Sequence, residues 1–465
     1  MIGYAARIGY ATLIGYAVPI ISAAPFRHAT AIADTPTIAM QSPIPVDSDY
    51  QALYDTATQV PNDVLALLPP PTDSIIQFLA WNLPDVISSP AITLPEVESS
   101  ITTECACWTL ESLEVSPIPP RKWIGDLEQQ LMKRFKTGDI PVSIQHLWTS
   151  DLRLPLWGIS FWRSALDVRR EKDRWDEAQH WIASEASQGM ETSPVGELMG
   201  RTPWGMMVRT SPEVDSPIGF MSVFLSTRWL AERHLDIFAS YYSEHTRGHA
   251  DEWWVGGTYL SVLIRGLSNM PDRLPKSGGD LDQLGKAFAD GKYRQLIFPA
   301  NLNNNHWIAV HVDIVKKEFR YGMTPLPLEL LQTLIMHHTG DSAIGTDTGP
   351  GSDLYALRGA IASWLKVVFG EAFRDKGASL PIGRQRDGYS CGPCVLNAIE
   401  HAILDAPLIK HKDRHGLRAA YFVELMGYIL RDVSVLSLDS RQSSLPHTLP
   451  CSLHSSHQCR QYRCR

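Results

Sequence analysis

The stretch GRQRDGYSCGPCVLNAIEHAIL, running from Gly383 to Leu404, decides how the rest of the chain is read. Val395, Ala398, Ile399, Ala402 and Ile403 recur at the spacing of a helix packed along one side. Gly388 and Gly392 loosen the backbone around Cys391, so the helix is expected to begin at or beside that cysteine. The first N–H groups of a helix are unpaired and carry the positive end of its dipole; both favour a thiolate, so a lowered pKa is expected for Cys391. A nucleophilic sulfur also needs a base. His306 is the candidate, because it opens the apolar run HWIAVHVDI directly after Asn303-Asn304-Asn305, and a strand end can hold an imidazole close to a neighbouring element.

Working outward, residues 216–435 read as one α/β unit. A helix is expected over Thr227–Ser243 and another over Gly257–Leu267. Three strands come next in RQLIFPAN, HWIAVHVDI and KEFRYG, then helices over Pro327–His337 and Asp353–Phe369 and a short strand in ASLPIG. The helices Cys391–Leu404 and Arg414–Asp432 close the unit. Helices, then a strand cluster, then helices argue for α+β rather than an alternating doubly wound sheet.

Residues 1–120 look different. Twelve of the 32 prolines precede position 100, and Ile-Gly-Tyr-Ala recurs at positions 2, 8 and 14. This block is expected to be low-complexity and largely disordered, with a transient helix over Ser74–Leu83. The N-terminal repeat is read as a low-complexity tail in preference to a secretory signal, since Gly and Tyr in every hexad suit a signal's helical core poorly. Residues 121–215 form an accessory helical region, in which Phe161, Trp162, Ala165, Leu166, Trp175, Ala178 and Trp181 mark a buried helix face. Residues 436–465 read as a disordered Ser, His and Cys tail.

Composition limits the classes. The net charge of -8 and the balance of acidic against basic residues in the Trp-rich helix argue against direct nucleic-acid binding. Arg7, three glycines and Pro19 interrupt the one apolar segment that resembles a membrane span. Seven cysteines, an odd number in 465 residues, suit a reducing compartment, so the nucleus or cytoplasm is expected. Cys451, His454, His457 and Cys459 are too compressed for the usual zinc arrangement, so neither a metal nor another cofactor is expected. Cys391-Gly-Pro-Cys394 admits a redox reading, but no βαβ pattern precedes it.

Three separated blocks, in order, resemble the ubiquitin-like-protein-specific cysteine proteases, that is, the SUMO proteases and their relative the adenovirus protease. They are RWLAERHLDIFASYY, IFPANLNNNHW, and Gln385 six residues ahead of Cys391 in Gly388-Tyr389-Ser390-Cys391-Gly392. The resemblance implies a papain-like α+β fold of the SUMO-protease type over about residues 216–432. It further implies Cys391 as nucleophile, His306 as general base and then acid, and Gln385 as side-chain donor of the oxyanion hole. Trp229 and Trp307 match the two indoles that roof a tunnel for a Gly-Gly tail. Glu232 stands where the family has an Asp that pairs with a basic residue of the modifier. The implied partners are a SUMO-type ubiquitin-like modifier and its conjugates, cleaved after Gly-Gly in maturation or deconjugation.

One departure bears on activity. Where the family has the triad Asp in a Tyr-x-Asp-Ser setting, this chain reads Tyr321-Gly322-Met323, and a thioether does not stabilise imidazolium. Three explanations are open: an impaired modifier-binding pseudo-protease, a short Asp-containing insert lost between Gly322 and Met323, or Asp341 standing in from the following loop. The second is preferred on sequence, because Tyr321-Gly322 runs straight into MTPLPLELL. Asp313 lies too far along its strand to serve.

Overall fold

The computed structural model describes residues 50–86, 97–98, 110, 113, 117–138, 143–145, 153–211, 214–245, 252–268, 280–324 and 350–442. Packing divides the chain into Met1–Ser42 with Arg431–Arg465, of which only the end of the last helix is described, and Pro43–Leu430. Every other described element belongs to Pro43–Leu430.

Three short helices come first: α1 (Tyr50–Ala57), α2 (Asn62–Leu65) and α3 (Ile75–Leu79). They correct the expectation of disorder for residues 50–86. Sequence periodicity missed α1 and α2, which are too short to show a repeat; α3 lies within the helix expected over Ser74–Leu83 and is held by a capping box in which Ser74 and Gln77 satisfy each other's backbone N–H groups. Ile75 and Phe78 are then buried against later helices. A small antiparallel sheet of β1 (Val97–Glu98), β2 (Ser143–Gln145) and β3 (Arg153–Pro155) flanks α4 (Arg121–Lys136) in sequence.

The Trp-rich segment is one long helix, α5 (Trp157–Ser187), and α6 (Ser193–Arg201) comes after it. Phe161, Trp162, Ala165, Trp175, Ala178 and Trp181 are buried along α5. The core gives no break at residue 215: one apolar cluster runs from Ile75 and Phe78 through Trp175 and Trp181 to Cys391, Val395 and Phe422. The hairpin β4 (Met207–Ser211) and β5 (Val214–Pro217) leads into the buried 3-10 segment Ile218–Leu225. Fully buried Arg418 ties the end of that segment by donating to the Phe224 carbonyl at 3.2 Å and the Arg228 carbonyl at 2.8 Å.

Helix α7 (Glu232–His245) starts five residues later than its sequence suggested. His234 explains the start: its Nδ1 accepts the Ala231 N–H at 2.8 Å, while Nε2 donates to the Phe220 carbonyl at 2.9 Å. Trp229 and Leu230 are thereby left in an extended approach. After β6 (Trp253–Val255), α8 (Tyr259–Ser268) and α9 (Asp280–Ala289) come β7 (Gln295–Leu302), β8 (His306–Asp313) and β9 (Glu318–Gly322), the three strands read from sequence. Helix α10 (Pro350–Phe369) and β10 (Arg374–Asp375) come next. The strand expected in ASLPIG does not form; β10 lies just before it and pairs parallel to β9.

The sheet order is β10-β9-β8-β7-β6, antiparallel in the middle and parallel at both edges. Every residue of β8 is buried, as a central strand covered on both faces requires. Trp307 and Ala309 face the cluster that holds the Cys391 helix, α11 (Cys391–Leu404); Ile308, Val310 and Val312 face α8, α9 and α10. Two such layers around a mixed sheet make the fold α+β, with the helix of Cys391 packed against the strand of His306. The last helix, α12 (Arg414–Gln442), runs ten residues beyond the expected end at Asp432, which corrects the disordered reading for residues 436–442. Among the described residues no helix is long and apolar enough to cross a membrane, and no group of His, Cys, Asp and Glu is arranged to hold a metal. The helix expected over Pro327–His337, the N-terminal repeat, and Cys451, His454, His457 and Cys459 lie outside the described residues.

Candidate active site

Asp387 builds the turn that presents Cys391. Its Oδ1 accepts the N–H groups of Tyr389 at 3.0 Å and Ser390 at 2.8 Å, and its Oδ2 accepts the Ser390 hydroxyl at 2.8 Å. This is the side-chain turn that an Asp-Gly pair favours, and the sequence analysis did not single out Asp387 for it. Ser390 is the N-cap and Cys391 the first residue of α11, as the sequence predicted. Gly392 is forced by space, since a Cβ there would stand 2.9 Å from the Leu230 side chain.

The electrostatics differ from the expectation. Burial pushes the Cys391 thiol up from its ordinary range, and the Asp387 charge adds to this, while the N–H groups of Trp307, Gly392 and Cys391 pull the other way. Desolvation outweighs the helix N-terminus because Cys391 is 1% exposed. Cys394, one helical turn deeper, is pushed up to about 12 by burial. His306 is buried and held down at about 4 by desolvation. Neither of its ring nitrogens has a hydrogen-bond partner among the described residues. Both groups therefore rest neutral, a thiol and an imidazole, and the N–H of Trp307, the residue after His306, faces the sulfur.

Gln385 is buried and fixed at both ends. Its Oε1 accepts the Thr324 hydroxyl at 2.7 Å, and its Nε2 donates to the Asp387 carbonyl at 2.5 Å. A primary amide has two N–H bonds, so one remains to meet an oxyanion. The two tryptophans are unlike each other. Trp307 is 2% exposed and its indole N–H donates to the Leu230 carbonyl at 2.7 Å, whereas Trp229 is 41% exposed. Both line a cleft of about 590 Å³, together with Glu232, Arg233, Asp236 and Asn304.

The register speaks to Met323. Strands β8 and β9 pair without a shift from Asp313↔Glu318 to Ala309↔Gly322, and Met323 and Thr324 follow directly after the last pair. The Met323 side chain is 37% exposed. Asp313 is at the far end of β8, where it accepts the Lys316 N–H at 2.9 Å; Asp341 lies outside the described residues.

Residues 285–432 match the model of the Ulp1 protease family, C-terminal catalytic domain. This segment is similar to the catalytic domain of that family. The family is one of cysteine peptidases. The matched segment contains Cys391, His306 and Gln385; Trp229, Glu232 and all of α5 lie upstream of it. Solved structures similar to the chain include the C-terminal Ulp1 protease domain in complex with Smt3, the yeast orthologue of SUMO, at 18% identity over 51% of this chain and 95% of that one, with a TM-score of 0.35. The Xanthomonas campestris effector protein XopD bound to ubiquitin is similar at 19% identity over 46% of this chain and 96% of that one, with a TM-score of 0.28. Comparison with curated proteins returns no match. Within the matched segment, sequence reasoning missed Thr324 on Gln385 and the partners of Tyr389, because no periodicity or spacing links residues so far apart in the chain.

Proposed function

We propose that the chain is a thiol protease that cleaves after the C-terminal Gly-Gly of a SUMO-type ubiquitin-like modifier, in maturation or deconjugation, with residues 216–435 as its catalytic domain. What supports the reading is the Cys391 sulfur at a helix N-terminus, against the N–H of Trp307, the residue after His306, in a segment that matches the Ulp1 family model. The Cys391 thiol passes its proton to His306 as the sulfur attacks the Gly-Gly carbonyl. The free N–H of Gln385 then meets the developing oxyanion, and the His306 imidazolium returns the proton to the leaving amine. Water repeats the sequence on the thioester. Trp229 and Glu232 receive the modifier in the cleft, and Trp307 supports its floor. The intracellular setting that goes with this reading, nucleus or cytoplasm, rests on the low cysteine content.

A second reading is favoured by the bare imidazole of His306: a pseudo-protease that binds the modifier without turning it over, since Met323 gives the imidazolium no carboxylate. A modifier carrying a vinyl sulfone after Gly-Gly separates the two. Labelling of Cys391, with release of coumarin from a modifier-coumarin substrate, supports the protease. Saturable binding with no labelling supports the pseudo-protease, and neither binding nor labelling removes both.

A further inference from the structure

We infer that helix α5, outside the matched family segment, is a working part of the active site: Glu185, acting through His415 and Tyr389, is a positioning residue for the turn that carries Gln385 and Cys391. The inference rests on the roles proposed for those two residues. The connection is a continuous chain of side chains. Glu185 Oε1 lies 2.7 Å from His415 Nδ1, and His415 Nε2 lies 3.1 Å from the Tyr389 hydroxyl. Arg414 Nε donates to the Tyr389 hydroxyl at 3.2 Å and forms an ion pair with Asp387 Oδ2 at 3.1 Å. Asp387 in turn holds the N–H groups of Tyr389 and Ser390 and, by its carbonyl, the amide of Gln385.

Donors and acceptors match along this chain in one arrangement. Arg414 has only donors, so the Tyr389 oxygen accepts from it and its O–H points to His415 Nε2. His415 must then be neutral with its proton on Nδ1, where Glu185 accepts it. Burial and the Arg414 charge hold His415 below its ordinary range against the pull of Glu185, and Arg418 acts in the same direction as Arg414, so the tautomer the chain requires is the form present near neutral pH. Packing keeps the ends in place. Trp181 meets the His415 ring at 5.6 Å, Trp175 meets Phe422 at 6.4 Å, and the Arg418 guanidinium lies 5.9 Å from the Tyr389 ring centre. Glu185 is 8% exposed, and a carboxylate is rarely buried so far without a partner of this kind. A second contact, from Arg228 Nε to Glu177 Oε1 at 2.9 Å, fixes α5 next to Trp229.

The test uses the full chain and reads the two cysteines separately, by iodoacetamide alkylation and mass spectrometry. Glu185→Ala frees the turn, so Cys391 should alkylate at least about threefold faster while Cys394 is unchanged, and kcat on modifier-coumarin should fall with KM unaltered. Glu185→Gln keeps an acceptor for Nδ1 and should behave as the parent. Tyr389→Phe cuts the chain in the middle, and adding Glu185→Ala to it should have no further effect on Cys391. Unchanged Cys391 alkylation in Glu185→Ala overturns the inference, and so do a parallel rise at Cys394, failure of Gln to rescue, and additive effects in the double variant. A parent chain that cleaves no modifier counts against the proposed function alone, because the alkylation readout needs no turnover.

Discussion

His306 and His415 both stand beside the turn of Cys391, and they are equipped in opposite ways. His306, the proposed base, is buried with both nitrogens unpartnered among the described residues. His415 has a carboxylate on one nitrogen and a tyrosine hydroxyl on the other. Among the described residues the histidine proposed as base has no orienting acid, and the histidine with the acid reaches the turn only through Tyr389. A buried imidazole without partners loses hydration and gains nothing in return, which is why His306 is held at about 4. The molecule thus spends its polar partners on holding the turn rigid, and leaves the proton acceptor to work by proximity.

The strongest way to break this comparison is to remove the sulfur. Cys391→Ala should lower modifier-coumarin cleavage by at least about a thousandfold while leaving modifier affinity within about twofold, measured by fluorescence turnover and by titration calorimetry. Cleavage that survives would mean that the nucleophile is elsewhere and that the bare His306 has no catalytic meaning.

Giving His306 what His415 has is the next step. Met323→Asp keeps the strand register and Thr324 in place, and should raise turnover at least about tenfold, or about 1.4 kcal/mol of transition-state stabilisation. The sign comes from charge. An anion beside the imidazole favours its protonated form, which raises the His306 pKa from about 4 and allows a thiolate-imidazolium pair. In the parent, Cys391 is pushed up by burial, so its alkylation should climb with pH above the ordinary thiol range and show no plateau below pH 7. In Met323→Asp a second, more acidic step should appear. If neither turnover nor the alkylation profile changes, a group outside the described residues already supplies the acid, and Asp341→Asn becomes the variant to measure.

The fold was legible in the sequence where one side of an element is buried over many residues. β7, β8, β9 and α11 appear within a residue or so of where alternation and helical spacing put them. The late start of α7 was not legible, because it depends on His234 reaching back to Ala231 and across to Phe220. α1 and α2 were missed because elements of eight and four residues show no repeat, whereas α3, expected within Ser74–Leu83, buries Ile75 and Phe78. At the site, residue types and order supplied His306, Gln385 and Cys391 as candidates. The charge state was not legible: helix geometry argues for a thiolate, and only burial, a three-dimensional quantity, reverses that.

The two tryptophans of the cleft sharpen the comparison by separating packing from recognition. Trp307→Ala removes a side chain that is 2% exposed and bonded to Leu230, so about 3 to 5 kcal/mol of stability should go with it and any loss of activity is ambiguous. Trp229→Ala removes an indole that is 41% exposed. It should leave the unfolding free energy from urea titration within about 0.5 kcal/mol of the parent and raise KM for the modifier about fivefold at unchanged kcat. Unchanged KM would take Trp229 out of the recognition surface while leaving the His306 chemistry as it stands.

The smallest expected effect is at Glu232, the exposed first residue of α7 on the edge of the same cleft. On the proposed function a carboxylate in that position would meet a basic residue of the modifier across a solvated rim, where charge pairs steer encounter more than they add affinity. Arg233 lies next to it in the cleft lining, so the local field is mixed and the net attraction modest. Glu232→Gln should therefore raise KM about twofold at low ionic strength, leave kcat alone, and become indistinguishable from the parent at about 0.5 M salt, where exposed charges a few ångströms apart are largely screened. An effect on kcat would tie Glu232 to the Cys391 chemistry instead, through Leu230 and the Trp307 indole that bonds to it. An effect that persists in high salt would mean that the carboxylate is desolvated on binding, and that modifier and α7 pack more closely than an exposed rim allows.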